Sequence, residues 1–425
     1  MLIQFCFKNF KSFRDDTILD LSATKITENN SHVISIGSEK ILPIATIFGA
    51  NASGKSNVVE AFRFMAEYVV NSFAYGGDSD DKKYGLKKNK RTPFLFDKTS
   101  RENISLFEVY FVSSEKEGYK DYNYGFTLDQ NGVVEEWLNS KAKTAKDYRM
   151  IFYRNRLENQ LDLTGLPEKQ RENIEIALED ETLIVSLGAK LKISKLKFIR
   201  EWFNYCYFVD FGNPIENAFW SSVLPERFAE DKSVQDNVLK YFSAFDPSII
   251  GFIVENIDDN DDDENLKRVK IDSVHRIADS NETVTIPLKD ESAGTLKMLS
   301  LYPALHNTLK SGGVLFVDEL NSRLHPLLVR AIQVIFLNED TNPKHAQLIF
   351  TTHDAWQLSN YLLRRDEIWF TEKDSDGVSK LYSLAEFTDD DGTKIRKDEN
   401  FEKNYLLGKY GAIPNLSYFD MFKGE

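Results

Sequence analysis

The sequence predicts an α/β fold: a mixed sheet with antiparallel hairpins beside it and a helical arm inserted between its two halves. Three observations carry this. Ile44-Ala45-Thr46-Ile47-Phe48, Val314-Leu315-Phe316-Val317 and Leu348-Ile349-Phe350 are short, almost unbroken apolar runs, as strands covered on both faces require. The first two are followed by segments with apolar residues at helical spacing, Asn57–Met65 and Pro326–Leu337. Elsewhere the pattern alternates: Ile104–Val112, Tyr122–Leu128 and Val133–Leu138 read as antiparallel strands, with an Asn131-Gly132 turn between the last two.

In chain order, Leu2, Phe5, Phe7 and Phe10 intersperse with polar residues before Phe13, which predicts two early strands. Beyond Tyr68 the pattern breaks at Gly76-Gly77-Asp78-Ser79-Asp80-Asp81 and a basic stretch, Lys82–Arg91, reading as a surface loop. Residues 1–155 form the N-terminal lobe. Residues 156–245 change to long, charged, helix-favouring sequence and read as an inserted arm or lid. Its best helices are Arg171–Leu187 and Leu191–Phe203, with another after Lys232 carrying Val234, Val238, Leu239 and Phe242. Residues 246–425 form the C-terminal lobe. In it the acidic run Asp258–Glu264 sits at a hairpin tip; it lacks the glycine and spaced ligands of an EF-hand loop and reads as a solvated turn.

Composition bounds the function. With 42% hydrophobic and 28% charged residues the chain is globular. A formal net charge of −14 excludes a surface that attracts nucleic acid everywhere, leaving room only for a local basic groove. Cys6 and Cys206 make neither a disulfide framework nor a CxxC pair, which argues for a reducing compartment and against structural zinc. No apolar run has membrane-spanning length, and a soluble, cytoplasmic protein with no membrane partner is expected.

The chemistry concentrates at the ends of the apolar strands. Gly49-Ala50-Asn51-Ala52-Ser53-Gly54-Lys55-Ser56 fits G-x-x-x-x-G-K-S between a strand and a helix, the context a phosphate-binding loop needs. Glycines let backbone N–H groups of the Asn51–Asn57 segment approach oxygens closely, and the helix start adds partial positive charge. Lys55 would reach the β- and γ-phosphates and Ser56 would offer its hydroxyl to Mg²⁺. The strand Val314–Val317 ends in Asp318-Glu319. Two carboxylates there suit a magnesium–nucleotide site, Asp318 toward the metal and Glu319 toward the attacking water. Leu348–Thr352 leads to His353, one predicted helix later, so parallel strand order brings it to the same sheet edge, placed to sense a γ-phosphate. Between them, Ser292-Ala293-Gly294 starts a helix with Leu296, Leu299 and Leu305 on one face.

That order of phosphate loop, Ser-x-Gly helix, Asp-Glu strand and His strand resembles the ABC-type ATPases of the Rad50, SMC and RecF kind. The resemblance implies a P-loop ABC-type ATPase core. It also implies ATP and Mg²⁺ as cofactors, Lys55 and Ser56 acting in cis, and Ser292 and Gly294 sealing the ATP held by a second copy. His353 would be the switch histidine, and Leu320–Pro326 the loop that communicates across the dimer. More narrowly the chain is similar to compact AAA_15/AAA_21-type ATPases of bacterial anti-phage, abortive-infection systems. The matching pieces are Asn9-Phe10-Lys11-Ser12-Phe13, the Gly49–Asn57 loop, Glu291–Thr295, Asp318-Glu319 with Leu324-His325-Pro326, Thr351–Asp354, and the tail Tyr405–Pro414. The tail resembles the ATPase subunit paired with RloB-like partners. A homodimer or higher even oligomer, working with a nuclease or toxin effector encoded nearby, is what this implies.

Three positions depart from the wider pattern: the helix motif reads Glu-Ser-Ala-Gly-Thr, Gln130 sits at a hairpin turn and does not suit the usual Q-loop, and Asn321 stands where many relatives carry Asp. Residues 355–425 are too short for the acidic nuclease domain of OLD-type relatives, and Asp389-Asp390-Asp391 reads as a solvated loop. The alternative is a RecF- or Rad50-like DNA-binding repair ATPase, supported by the basic stretches Lys82–Arg91 and Lys190, Lys192, Lys195, Lys197 and Arg200. Against it, the arm lacks the sustained heptads of a coiled coil. A transporter subunit has no recognisable coupling domain here, and a GTPase would need a base-reading NKxD motif that the sequence lacks.

Overall fold

The run Ile44–Gly49 lies between two parallel neighbours, Gln347–Thr351 and Ile368–Lys373, and every one of its residues is buried. This arrangement comes from a computed structural model of the chain, which describes residues 1–75, 90–115, 118–213, 215, 224–242, 246–257, 268–389 and 392–414. The central sheet runs Cys206–Asp210, Val314–Asp318, Gln347–Thr351, Ile44–Gly49, Ile368–Lys373, Ser379–Ser383. Its first five strands are parallel and the last is antiparallel. Alternate residues feed two different cores. Val314 and Phe316 face one, Leu315 and Val317 the other, which is why the run shows no polar alternation.

The first core holds the helix Lys55–Asn71 between two sheets. Phe62 stacks on Phe316 of the central sheet at 4.4 Å and meets Phe5 edge-on at 4.9 Å. Phe5 belongs to a seven-stranded antiparallel sheet ordered Gln160–Asp162, Arg149–Asn155, Val133–Ala142, Gly118–Leu128, Ser105–Glu115, Leu2–Lys8, Thr17–Asp20. The buried amide of Gln347 joins the two sheets, accepting from Leu2 N–H at 2.6 Å and donating to the Leu2 and Leu42 carbonyls at 2.8 and 3.0 Å. On the opposite face of the central sheet, Ala293–Ser311 and Pro326–Leu337 cover the second core with Met298, Leu305, Val329 and Phe336. A small three-stranded sheet (Ile249–Ile257, Arg268–Arg276, Thr283–Pro287) packs with helix Lys232–Phe242 on Leu299 and Tyr302 of Ala293–Ser311.

The inserted helices lie on the core. Glu168–Ala177, Ile184–Lys190 and Ser194–Asn204 bury Ile174, Ile184, Leu187, Leu196 and Ile199, and Trp202 stacks on Phe111 at 4.1 Å. Glu136, wholly buried, fixes the second helix by accepting from the N–H groups of Ile184 (2.6 Å) and Val185 (3.2 Å) and from the Tyr124 hydroxyl. Burial pushes its carboxyl up to about 7. The single helix expected over Arg171–Leu187 is broken at Leu178–Leu183. Arg154 takes the carbonyls of Glu179 and Thr182, and Val133 N–H takes that of Asp180, so those acceptors serve the sheet. Cys206–Asp210, inside the stretch assigned to the arm, is an edge strand of the central sheet.

The Gly76–Asp81 break, most of Lys82–Arg91, the Asp258–Glu264 run and Asp390-Asp391 lie outside the described residues. Ile257 pairs with Arg268, so the flanking strands do form the expected hairpin. Among the described residues no helix is long and apolar enough to cross a membrane, and both cysteines are free.

Candidate functional site

The phosphate loop connects Ile44–Gly49 to Lys55–Asn71, with Ala52 (φ 63°) and Gly54 (φ 112°) in the left-handed region. Its glycines are spatial requirements. A Cβ on Gly49 would stand 2.5 Å from Thr371 Oγ1 and 2.6 Å from Ser53 Oγ, and one on Gly54 would stand 2.6 Å from Ser379 Oγ. Asn51 and Ala52 are exposed at the tip, whereas Ser53, Gly54 and Lys55 are buried. Lys55 Nζ turns back onto its own loop, donating to the carbonyls of Gly49 (2.9 Å) and Ala50 (3.0 Å). Burial lowers its pKa, opposed by the charges of Glu319 and Asp318. Asn57 donates to Ser12 Oγ at 2.7 Å and Ser379 Oγ reaches Ser12 Oγ at 2.8 Å, tying the Asn9–Phe13 motif to the loop.

Asp318 and Glu319 end the strand one place removed from the loop strand, with the histidine strand between them. Asp318 is 5% exposed. Burial raises its pKa; hydrogen bonds from Thr351 and Ser56 oppose the rise, while Asp210 and Glu319 add to it. Glu319 adopts φ 54°, an unusual conformation for a residue with a side chain, turning the chain sharply after the strand. Its carboxylate meets His353 Nδ1 at 2.9 Å. Asn321 occupies the departing position and joins this pair, accepting from Thr352 Oγ1 at 2.8 Å and lying 3.3 Å from His353 Nε2. Lys55, Ser56, Asp318, Glu319 and His353 are therefore brought to one sheet edge.

Ser292 and Gly294 stand elsewhere. Ser292 caps Ala293–Ser311, its Oγ accepting from Thr295 N–H at 3.1 Å, and it is exposed. A Cβ on Gly294 would lie 3.5 Å from the Arg323 carbonyl. Neither residue is hydrogen-bonded to its own chain's phosphate loop among the described residues.

Sequence reasoning assigned no role to three residues that the structure places at the site. Thr351, wholly buried, accepts from Glu319 N–H at 2.8 Å and donates to Asp318 Oδ1 at 2.5 Å, so one hydroxyl positions both acids. Asp210 pairs across the sheet with Asp318. It ends Cys206-Tyr207-Phe208-Val209 as Asp318 ends its own apolar run, a signal that was available. Lys297 lies beneath the Asp-Glu turn, its Nζ donating to the Ser322 carbonyl and 3.7 Å from the centroid of Phe211.

The donor set fits a magnesium-bound nucleotide. It offers two glycine cradles that a Cβ would fill, an ammonium that donates to loop carbonyls, and a buried carboxylate hydrogen-bonded to the Ser56 hydroxyl. Among the described residues no three acidic, histidine or cysteine side chains form a metal site alone. Mg²⁺ takes one or two carboxylates and completes its shell with phosphate oxygens and water.

These features define a P-loop core of the ABC-like ATPase class. The chain belongs to the family described as AAA domain, putative AbiEii toxin, Type IV TA system, whose model matches residues 44–355. Among solved structures it is similar to the Smc head domain with a coiled coil and joint from Pyrococcus yayanosii. The identity is 12% and the TM-score 0.39, over 90% of this chain and 97% of that one. No curated protein matches it.

Proposed function

We propose that this protein binds ATP with Mg²⁺, hydrolyses it, and closes around nucleotide as a homodimer, or a higher even oligomer, to control an effector in anti-phage defence. The observation that carries the ATPase reading is the convergence of Lys55, Ser56, Asp318, Glu319 and His353 at the carboxyl edge of one parallel sheet. The metal, when bound, neutralises charge on the terminal phosphates. Lys55 exchanges its loop carbonyls for phosphate oxygens. Ser56 and Asp318, already in contact, would hold the ion. Glu319, fixed through its N–H by Thr351 and through its carboxylate by His353, takes the proton of the attacking water.

The exposed Ser292 cap supports action in trans, since a helix N-terminus with an exposed serine at its rim suits the terminal phosphate of a second copy's nucleotide. The defence role and the nuclease or toxin partner rest on the toxin-system description of the family and on the tail Tyr405–Pro414. A DNA-repair role is less well supported, because three of the five arm cations are engaged within the chain. Arg200 donates to the Val70 carbonyl, Lys190 lies over Phe73, and Lys197 pairs with Glu201.

The test is phosphate release by purified protein with Mg²⁺. Lys55→Ala should lose nucleotide binding, and Glu319→Gln should retain bound ATP while turnover falls at least about a hundredfold. Undiminished turnover in Glu319→Gln would place the chemistry elsewhere.

A further inference from the structure

The helix that carries the Ser292 cap also reaches the Asp-Glu turn of its own chain. Lys297, one turn beyond Gly294, is 3% exposed. Its ammonium donates to the Ser322 carbonyl, approaches the Glu319 carbonyl at 3.5 Å, and sits over the Phe211 ring. These partners are carbonyls and an aromatic face, and the Glu319 carboxylate acts on the ammonium only through its charge. A buried charge so compensated is a poor choice for packing alone, where methionine or leucine would serve better. Burial accordingly draws its pKa down to about 7.

What the ammonium holds is a turn left-handed at both ends, at Glu319 (φ 54°) and Arg323 (φ 59°), conformations that persist only where surroundings enforce them. The same turn runs close to the start of the cap helix, where a Cβ added to Gly294 would come within 3.5 Å of the Arg323 carbonyl. Lys297, one turn beyond Gly294 on the same face, therefore ties the helix to the segment that carries Glu319.

We infer that Lys297 is a positioning residue that couples the Glu291–Thr295 cap to Glu319 within one chain, so that seating the cap on a second copy's nucleotide sets Glu319 for hydrolysis of the chain's own. This rests on the proposed trans role of the cap.

The test compares Lys297→Met, neutral and of similar length, with Lys297→Arg, which keeps a cation on the same carbonyls. Half-saturation of ATP-driven self-association should stay within about twofold for Lys297→Met while kcat falls at least about tenfold, with Lys297→Arg recovering most of the rate. Wild-type turnover in Lys297→Met overturns the inference. So does a parallel loss of turnover and self-association, which would mark a merely structural residue. Hydrogen exchange on the Glu319→Gln protein serves even if the Met variant does not fold. ATP should protect residues 319–323 together with 291–297, and protection of the cap alone overturns the coupling. If wild-type protein shows no ATP-driven self-association at all, the trans reading itself fails, whatever Lys297 does.

Discussion

Thr351→Val isolates the support beneath the two acids. Valine replaces the hydroxyl by a methyl of nearly equal volume at a wholly buried position, so no cavity forms. What is lost is the donor to Asp318 Oδ1 and the acceptor for Glu319 N–H. Leaving a buried polar group unpaired costs about 1–3 kcal/mol, so the orphaned Glu319 N–H should destabilise the fold by roughly that amount, while Asp318 keeps its bond from Ser56. The substitution also removes a hydrogen bond that holds down a pKa already raised by burial. The carboxylate form of Asp318 then requires higher pH, and the acid limb of the ATP hydrolysis profile should move upward. Urea unfolding and a pH–rate profile, with Thr351→Ser as the hydroxyl-retaining control, read both effects. A valine variant matching wild type in unfolding midpoint and in pH profile would refute the claim that this hydroxyl positions the acids.

Two further substitutions probe the cradle and the fold. Gly49→Ala places a methyl 2.5–2.6 Å from Thr371 and Ser53 atoms. Strain of about 1–3 kcal/mol should weaken nucleotide binding roughly 5- to 150-fold in equilibrium titration. Gly251→Ala, whose added carbon meets only Val274 at 3.9 Å, should leave it unchanged. Glu136 titrates near 7 when folded against an ordinary 4.5, so the folded chain keeps a proton that the unfolded chain releases between those values. Its contribution to stability is fullest below pH 4.5 and declines as pH rises through 7. The unfolding free energy of wild type relative to Glu136→Gln should therefore drop by on the order of 3 kcal/mol across that window. Parallel stability curves would contradict it.

The parts of the site that were legible in the sequence are those whose chemistry is written locally. The phosphate loop needs glycines and a lysine at fixed spacing, and Asp318-Glu319 stand out because they end an apolar run. Pro326–Leu337 was placed correctly because a proline start and an apolar face define it. Thr351, Asp210 and Lys297 acquire their meaning only from register and packing. Asp210 matters because its strand pairs with Val314–Asp318, a long-range choice that composition does not encode. What the inserted helices pack on was not legible for a related reason: an amphipathic helix presents the same spacing whatever its apolar face meets, here Phe111 of the core against Trp202.

The most direct measurement is the mass of the Glu319→Gln protein in solution by light scattering, with and without ATP and Mg²⁺. Caps that seal each other's nucleotides should convert it to a dimer or higher even oligomer only when ATP is present, and Ser292→Arg should block the conversion while leaving nucleotide binding intact. A mass indifferent to ATP, with nucleotide demonstrably bound, would contradict closure in trans.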